Sequence, residues 1–300
     1  MSKHRATYFA ATCLVAIGVS VASIPTDART PSSAIQNYPF GDSLYVNSKT
    51  DIFSYFEKTN YRWPIESTST LPNVIIENIP HDLNTINDTH TKKVTFLQIL
   101  LPVVLAEQRW IRNQRKNLAL LLAADQLDEQ VNIQIEDLYK EYKIKKDQPK
   151  QSKKNALLEK YDELPVTLVL AQAAIESGWG TSRFAREGNS LFGEWTFDGT
   201  GIIPNGRTSG KTHRIKAFNT LQNSVKSYMK NINSNNAYRD LRKARLKMRE
   251  NSQSLDARIL ASGLDKYSEK GSAYVDSLLK VLNTKEFLSI EALKIEQNFS

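Results

Sequence analysis

The sequence predicts an α+β protein, mostly helical with one small β element. Three observations predict it. Apolar residues recur at helical spacing in several separate stretches, a glycine-punctuated stretch at 191–218 alternates instead, and a lysine-rich run at 143–155, broken by Pro149, divides the helical regions.

In chain order, Lys3 and Arg5 precede a small-residue and apolar run over 6–24, the pattern of a basic n-region and an apolar h-region. Residues 1–28 therefore read as a signal peptide, with small residues at Val21-Ala22-Ser23 and Thr26-Asp27-Ala28 as places to cut. The alternative is an uncleaved anchor, because the run falls only slightly short of the roughly 20 residues of a spanning helix. Export to the periplasm or cell envelope is expected, with membrane contact only if the segment stays.

Residues 29–90 are rich in Pro, Ser, Asn and Thr, with scattered aromatics such as Phe53, Tyr55, Phe56, Tyr61 and Trp63 and no sustained period. They read as an extended, partly irregular arm. Residues 91–149 read as a helical region: Phe96, Leu97, Leu100, Leu101, Val104 and Leu105, then Trp110 and Ile111, then Val131, Ile135, Leu138 and Tyr142, keep one apolar stripe. It ends in the run KIKKDQPKQSKKN, which reads as a solvated basic connection between two bodies.

Residues 150–285 read as the second body. Pro165 opens a helix that is apolar nearly all round, since its missing amide proton costs nothing in a first turn. Gly178 and Gly180 end that helix. Trp195 and Phe197 alternate in the β excursion, and helical stripes return at 221–232, 255–260 and 274–282. Residues 286–300 are taken as a C-terminal tail.

With 300 residues, 40% of them hydrophobic, the chain can bury a sizeable core, which excludes wholesale disorder and fibrous architectures. The single cysteine, Cys13, lies in the N-terminal apolar run, so the remainder has no disulfide framework and no cysteine-based zinc site. Four histidines without ligand spacing make a metal centre unexpected, and no cofactor is implied. Forty basic residues against 32 acidic ones, a net charge of +8, favour an anionic partner. Nucleic acid is not expected, because no binding-module pattern accompanies the charge.

Glu176 is the residue that looks like chemistry. It closes the apolar helix, where the negative end of the helix dipole and the dry surroundings both disfavour a carboxylate. A carboxylic acid held protonated in this way suits a glycosidase proton donor. Trp179, three residues on, offers a flat surface for a sugar ring. The bland alternative is a Glu176 that turns outward or pairs with Arg183 or Arg186, beside a tryptophan that belongs to the core.

The string AQAAIESGWGTSRFAREGNSLFG at 171–193 closely resembles the glucosaminidase-type domain of bacterial wall hydrolases, glycoside hydrolase family 73, and most closely its bacterial Bax-type members, which are unrelated to the apoptosis protein of that name. The likeness extends through KTHRIKAF at 211–218 and LDKYSEKGSAYVDSLLKVL at 264–282. The resemblance implies a lysozyme-like fold with a small β-hairpin lobe, and peptidoglycan glycan strands as substrate. It also implies hydrolysis of the β-1,4 bond after N-acetylglucosamine, an endo-β-N-acetylglucosaminidase activity. By the same resemblance Glu176 matches the general acid and Tyr267 the tyrosine near the reacting sugar. The segment from Asn189 to Gly193 matches the N-x-F-G string, with Asn189 and Phe192 set beside Trp179 as substrate-binding residues. Lytic transglycosylases share a Glu-Ser pair at a helix end but continue into a Gly-Leu-Met-Gln type string, which this chain lacks.

One departure concerns the second carboxylate, since residues 199–218 contain no Asp or Glu. Glu194 and Asp198 are the nearest acids, and strand alternation leaves open whether Glu194 points away from the cleft or into it. Otherwise the substrate's own acetamido group must assist. The competing reading is a non-catalytic glycan-binding or scaffolding protein of the wall.

Overall fold

A computed structural model describes residues 42–65, 71–72, 74–205, 207, 210 and 212–293. The expected signal segment with Cys13, the start of the arm, Lys211 of the KTHRIKAF string and residues 294–300 lie outside the described residues.

The arm is more ordered than its composition predicts. Strand β1 (Ser43–Leu44) pairs in parallel with β2 (Ile75–Ile76), Ser43 opposite Ile75 and Leu44 opposite Ile76. Between them lies helix α1 (Lys49–Lys58), started by a capping box in which Ser48 and Asp51 satisfy each other's backbone amides. Ile52 and Phe56, one turn apart, carry α1 into the core. The segment is therefore a structural layer, and the expected extended arm is corrected accordingly for its described residues.

Helix α2 (Thr89–Ala123) is the long central element. All residues from 95 to 108 are buried, so the helix is enclosed on every side over about four turns. By length and apolar content α2 would pass as a membrane span, but 83% of its most apolar window is covered by the protein itself. Helix α3 (Glu129–Glu141) follows a break at 124–128 that the single predicted stripe does not show, with Asp128 capping its first amides.

The basic connection is also corrected, because Pro149 starts helix α4 (Lys150–Lys160). Its lysines close other helices. Lys154 Nζ donates to the Leu122 carbonyl at the end of α2, and Lys160 Nζ donates to the Tyr142 carbonyl at the end of α3 at 2.8 Å. Lys143, Lys145, Lys146 and Lys150 do face solvent, while Lys154 from the same run and Lys160 beyond it are spent on helix C-termini.

Helix α5 (Val166–Ser177) has the predicted limits, from Pro165 to a left-handed Gly178 at φ +58°. Helix α6 (Arg183–Gly188) leads to the hairpin, where β3 (Trp195–Thr196) pairs antiparallel with β4 (Arg214–Ile215). The rest is helical: α7 (Leu221–Ser234), α8 (Arg239–Glu250), α9 (Ala257–Ala261), α10 (Ser272–Leu282) and α11 (Lys285–Ala292). The expected tail is corrected over 286–292, since α11 buries Phe287 and Ile290. A mostly helical protein with small sheets and a lysozyme-like domain is the observed class.

One continuous core runs from Val46 to Ile290 and unites the N-terminal layer, α2 and α5 to α11. A smaller cluster of Leu118, Leu122, Val131, Ile135, Tyr139, Tyr142, Ile144 and Leu157 joins the end of α2 to α3 and α4. The division between bodies therefore sets 118–161 apart and does not cut the chain at 149.

A fragment beginning at Lys150 lacks α2 and leaves the faces of α5 and α7 bare. Seven α2 side chains (Phe96, Leu97, Ile99, Leu100, Leu101, Val103 and Val104) are fully buried. At about 1.5–3 kcal/mol each their loss rivals the whole stability of about 5–15 kcal/mol of a typical domain. We expect no cooperative thermal transition and no near-UV circular dichroism from this fragment; a melt matching the full chain would refute the shared core.

Candidate active site

Helix α5 is apolar because it is wrapped by α2, α9, α10 and α11. Its last turn still needs an end, and the turn is made firmly. Ser177 Oγ donates to the Ala173 carbonyl at 2.6 Å and accepts from Gly180 N–H at 2.8 Å, while Gly178 and Trp179 both take positive φ. At this end Glu176 is half-buried. Burial pushes its carboxyl above the ordinary value, opposed by a hydrogen bond from Tyr274 and by the charge of Lys270. Arg183 is engaged with Glu187 at 3.1 Å and Arg186 with the carbonyls of Thr181 and His81, so neither arginine serves as its counter-ion.

Tyrosines surround this acid. Tyr267 stacks on Tyr274 with centroids 5.3 Å apart and planes 11° from parallel, and its hydroxyl donates to the Phe192 carbonyl at 3.1 Å. Phe192 is buried and stacks on Tyr228 at 3.9 Å. Burial holds the Tyr228 and Tyr267 phenols well above their ordinary value, so both stay neutral, and the Glu176 charge acts on each in the same direction. Sequence reasoning missed Tyr274, which reads there only as one member of a helical stripe. No local spacing signals it, because residues 265–271 between Tyr267 and α10 are turns and bends.

The structure separates the two candidate second acids. Asp198 is exposed and caps its own turn, accepting from the Thr200 hydroxyl at 2.6 Å and the Thr200 amide at 2.9 Å, which holds it down to about 2. Glu194 is half-buried at the start of the hairpin and is raised by burial. Its Oε2 accepts from Ser227 Oγ at 3.0 Å, and Lys216 Nζ, bonded to the same hydroxyl at 2.8 Å, lies 3.9 Å away. Its Oε1 is buried with no protein hydrogen-bond partner among the described residues. Glu194 and Glu176 both bear electrostatically on Tyr228 and Tyr238. Alternation along β3 sends Trp195 and Phe197 outward and turns Glu194 toward Ser227 on α7.

Two residues expected at substrate have other surroundings. The left-handed turn after α5 swings Trp179 between Phe96 and Phe287, at 6.1 and 6.2 Å, with Lys93 over its ring. Asn189 is buried and fully engaged with backbone. Its Oδ1 accepts from Ile79 N–H at 3.4 Å and its Nδ2 donates to the carbonyls of Phe218 and Asn219 at 3.2 and 3.3 Å. It staples the N-terminal layer to the end of the hairpin lobe.

A cavity of about 730 Å³ lies at the opposite end of α5, lined among others by Arg112, Arg115, Asp162, Glu163, Arg249 and Arg258. Its charges are mutually paired: Arg249 bridges Asp162 and Glu163 at 3.0 and 2.7 Å, Arg112 meets Glu163 at 2.8 Å, and Arg258 meets Glu291 at 2.9 Å. The raised, half-buried carboxyls lie instead around the tyrosines.

Glu176 is thus a half-buried acid at a helix end, beside stacked tyrosines. The Glucosaminidase family model, described as mannosyl-glycoprotein endo-beta-N-acetylglucosaminidase, matches residues 152–286. Protein bax of Escherichia coli (strain K12) is 30% identical over 198 residues, covering 66% of this chain and 71% of that protein. The chain belongs to the Bax-type glucosaminidase-domain proteins. No solved structure matches. Membership gives the domain the character of a glycoside hydrolase of the peptidoglycan hydrolase family, with a glycan as what it binds. The matched span starts within α4, so the family domain omits α2, on which its core depends.

Because the Asn189 amide is consumed by backbone, Asn189→Ala is expected to lower stability by about 2–3 kcal/mol through orphaned buried groups. Binding of wall glycan per folded molecule should stay unchanged. A thermal melt and a pull-down on insoluble peptidoglycan check the two halves, and lost binding at unchanged stability would return Asn189 to the substrate.

Proposed function

We propose that this protein hydrolyses the β-1,4 glycosidic bond after N-acetylglucosamine in peptidoglycan, with Glu176 as the general acid. The observation that carries the reading is the Glu176 carboxyl, raised by burial at the end of an enclosed helix and met by a tyrosine hydroxyl. A carboxyl raised in this way stays protonated further toward neutral pH and can protonate the leaving oxygen as the bond to C1 breaks. Glu194 is proposed as the second carboxylate, supported by its burial, its raised carboxyl and an oxygen with no protein donor. Tyr267 is proposed to act indirectly, holding the Phe192 segment against Tyr228. Export belongs to the same proposal and rests on the Lys3, Arg5 and 6–24 pattern.

General acid catalysis is worth about 10²- to 10⁴-fold, so Glu176→Gln is expected to lose at least that much wall hydrolysis while remaining folded. Wild-type turnover by the folded variant would leave the glycan-binding reading in its place. Digestion should release reducing-end N-acetylglucosamine, read by mass spectrometry after borohydride reduction. Reducing N-acetylmuramic acid or its anhydro form as the main product would overturn the bond assignment.

Glu194→Gln should slow turnover by at least tenfold, about 1.4 kcal/mol of barrier, whereas Asp198→Asn should have little effect. Equal, small effects of both would make acetamido assistance the mechanism. Because the acid must be protonated, kcat is expected to fall as pH rises through the raised Glu176 value, and a pH profile of kcat checks the sign.

A further inference from the structure

Gln172 lies four residues before Glu176 on α5 and is fully buried. A primary amide in that setting must find partners for both its oxygen and its nitrogen. It finds two tyrosines from different helices. The Tyr228 hydroxyl on α7 donates to Oε1, and Nε2 donates to the Tyr274 hydroxyl oxygen on α10 at 3.0 Å. A phenol has a single proton. Since the Tyr274 oxygen already accepts from the amide, its own proton is left for the Glu176 carboxylate, which lies one turn beyond Gln172 on the same face of α5.

We propose that Gln172 is a positioning residue for the general acid: by donating to Tyr274 it turns that tyrosine's one proton toward the Glu176 carboxylate. The inference rests on Glu176 being the acid and adds how its proton affinity is set. Burial alone makes Glu176 a reluctant acid, and a donor aimed at the ionised form offsets part of that reluctance. Tyr274 keeps its proton throughout and adds no step to the reaction.

The other groups bearing on Glu176 come from every element around it: Lys270 ahead of α10, Tyr267 beneath it, Tyr228 on α7 and Tyr238 between α7 and α8. Lys270 is exposed and acts through solvent, where its charge is screened. The three tyrosines are held above their ordinary range by burial and carry no charge in the working pH range. The hydrogen bond from Tyr274 is therefore the contact whose loss should move Glu176 most.

The test titrates the Glu176 carboxyl by ¹³C NMR in the full chain labelled at glutamate, assigned by its absence in Glu176→Gln. Tyr274→Phe should move the midpoint up by about one pH unit, the size of one hydrogen bond to a charged group. Gln172→Met should move it in the same direction, and the double variant should go no further than Tyr274→Phe alone. A downward shift in Tyr274→Phe would overturn the proposal, because it would mean that Tyr274 accepts from protonated Glu176 with the Gln172 amide reversed. An unmoved midpoint in folded Gln172→Met would overturn it too. Should Gln172→Met fail to fold, the sign of the Tyr274→Phe shift still decides. The upper limb of the kcat profile should move with the NMR midpoint in the same variants. A midpoint that moves without the limb overturns the reading of Glu176 as the acid while leaving the hydrogen-bond relay standing.

Discussion

The arrangement depends on one constraint: a helix that is dry on every side must be enclosed by other elements, and this one carries an acid in its last turn. Val166 to Ala174 are buried without interruption, so α5 is stable only where other elements enclose it, and α2, α9, α10 and α11 do so. Enclosure fixes the axis and hence where the last turn emerges. Glu176 is held in place by that packing, and its environment is whatever the surrounding helices present there. They present tyrosines, which are large enough to exclude water and polar enough to receive a carboxyl.

The two ends of α5 solve the problem of buried charge differently. At the N-terminal end Asp162 and Glu163 are nearly fully buried and are met by Arg112, Arg115, Arg245 and Arg249. Arg245 also donates to three backbone carbonyls and to Asn233, which links α8 to α7 and to the loop before α5. Such a network is weak evidence of net stability, yet removing one member leaves an uncompensated charge at a cost of about 3–5 kcal/mol. Its role here is to fix the start of α5 with ionised groups. At the C-terminal end no arginine among the described residues pairs with Glu176, which is met instead by the neutral Tyr274 hydroxyl and the exposed Lys270.

Legibility in the sequence followed the chemistry of burial. Where burial is apolar, the pattern was plain: Pro165, the run to Ile175 and Gly178 mark α5 to the residue, and the hairpin and α10 were placed by alternation and by the stripe from Tyr274 to Leu282. Where polar residues are buried, it failed. Helix α8 went unread because Arg242 and Arg245 occupy its inner face along with Leu241 and Met248. Helix α4 read as a connector because it buries little beyond Leu157, and two of its lysines, Lys154 and Lys160, close other helices instead of facing water. Helix α1 was hidden by its short length, although Ser48, Asp51, Ile52 and Phe56 carry its start signal and its stripe. At the site, the motif pointed to Glu176 and Tyr267, but which hydroxyl reaches the acid depends on how the loop before α10 folds back. That information lies in the packing of Tyr267 on Tyr274 and in no local spacing.

Helix α2 has a further consequence for how the protein comes into being. Its partners α5 and α7 lie some tens of residues to more than a hundred residues later in the chain. During synthesis the segment with the hydropathy of a bilayer span is made after the N-terminal layer that covers part of it but before α5 and α7, and loop closure over such separations is slow. The nascent chain therefore passes through a stage in which the side of α2 that faces α5 and α7 has no native partner. Until residues 166–234 have been made, that side of α2 has to be kept from membranes and from other chains.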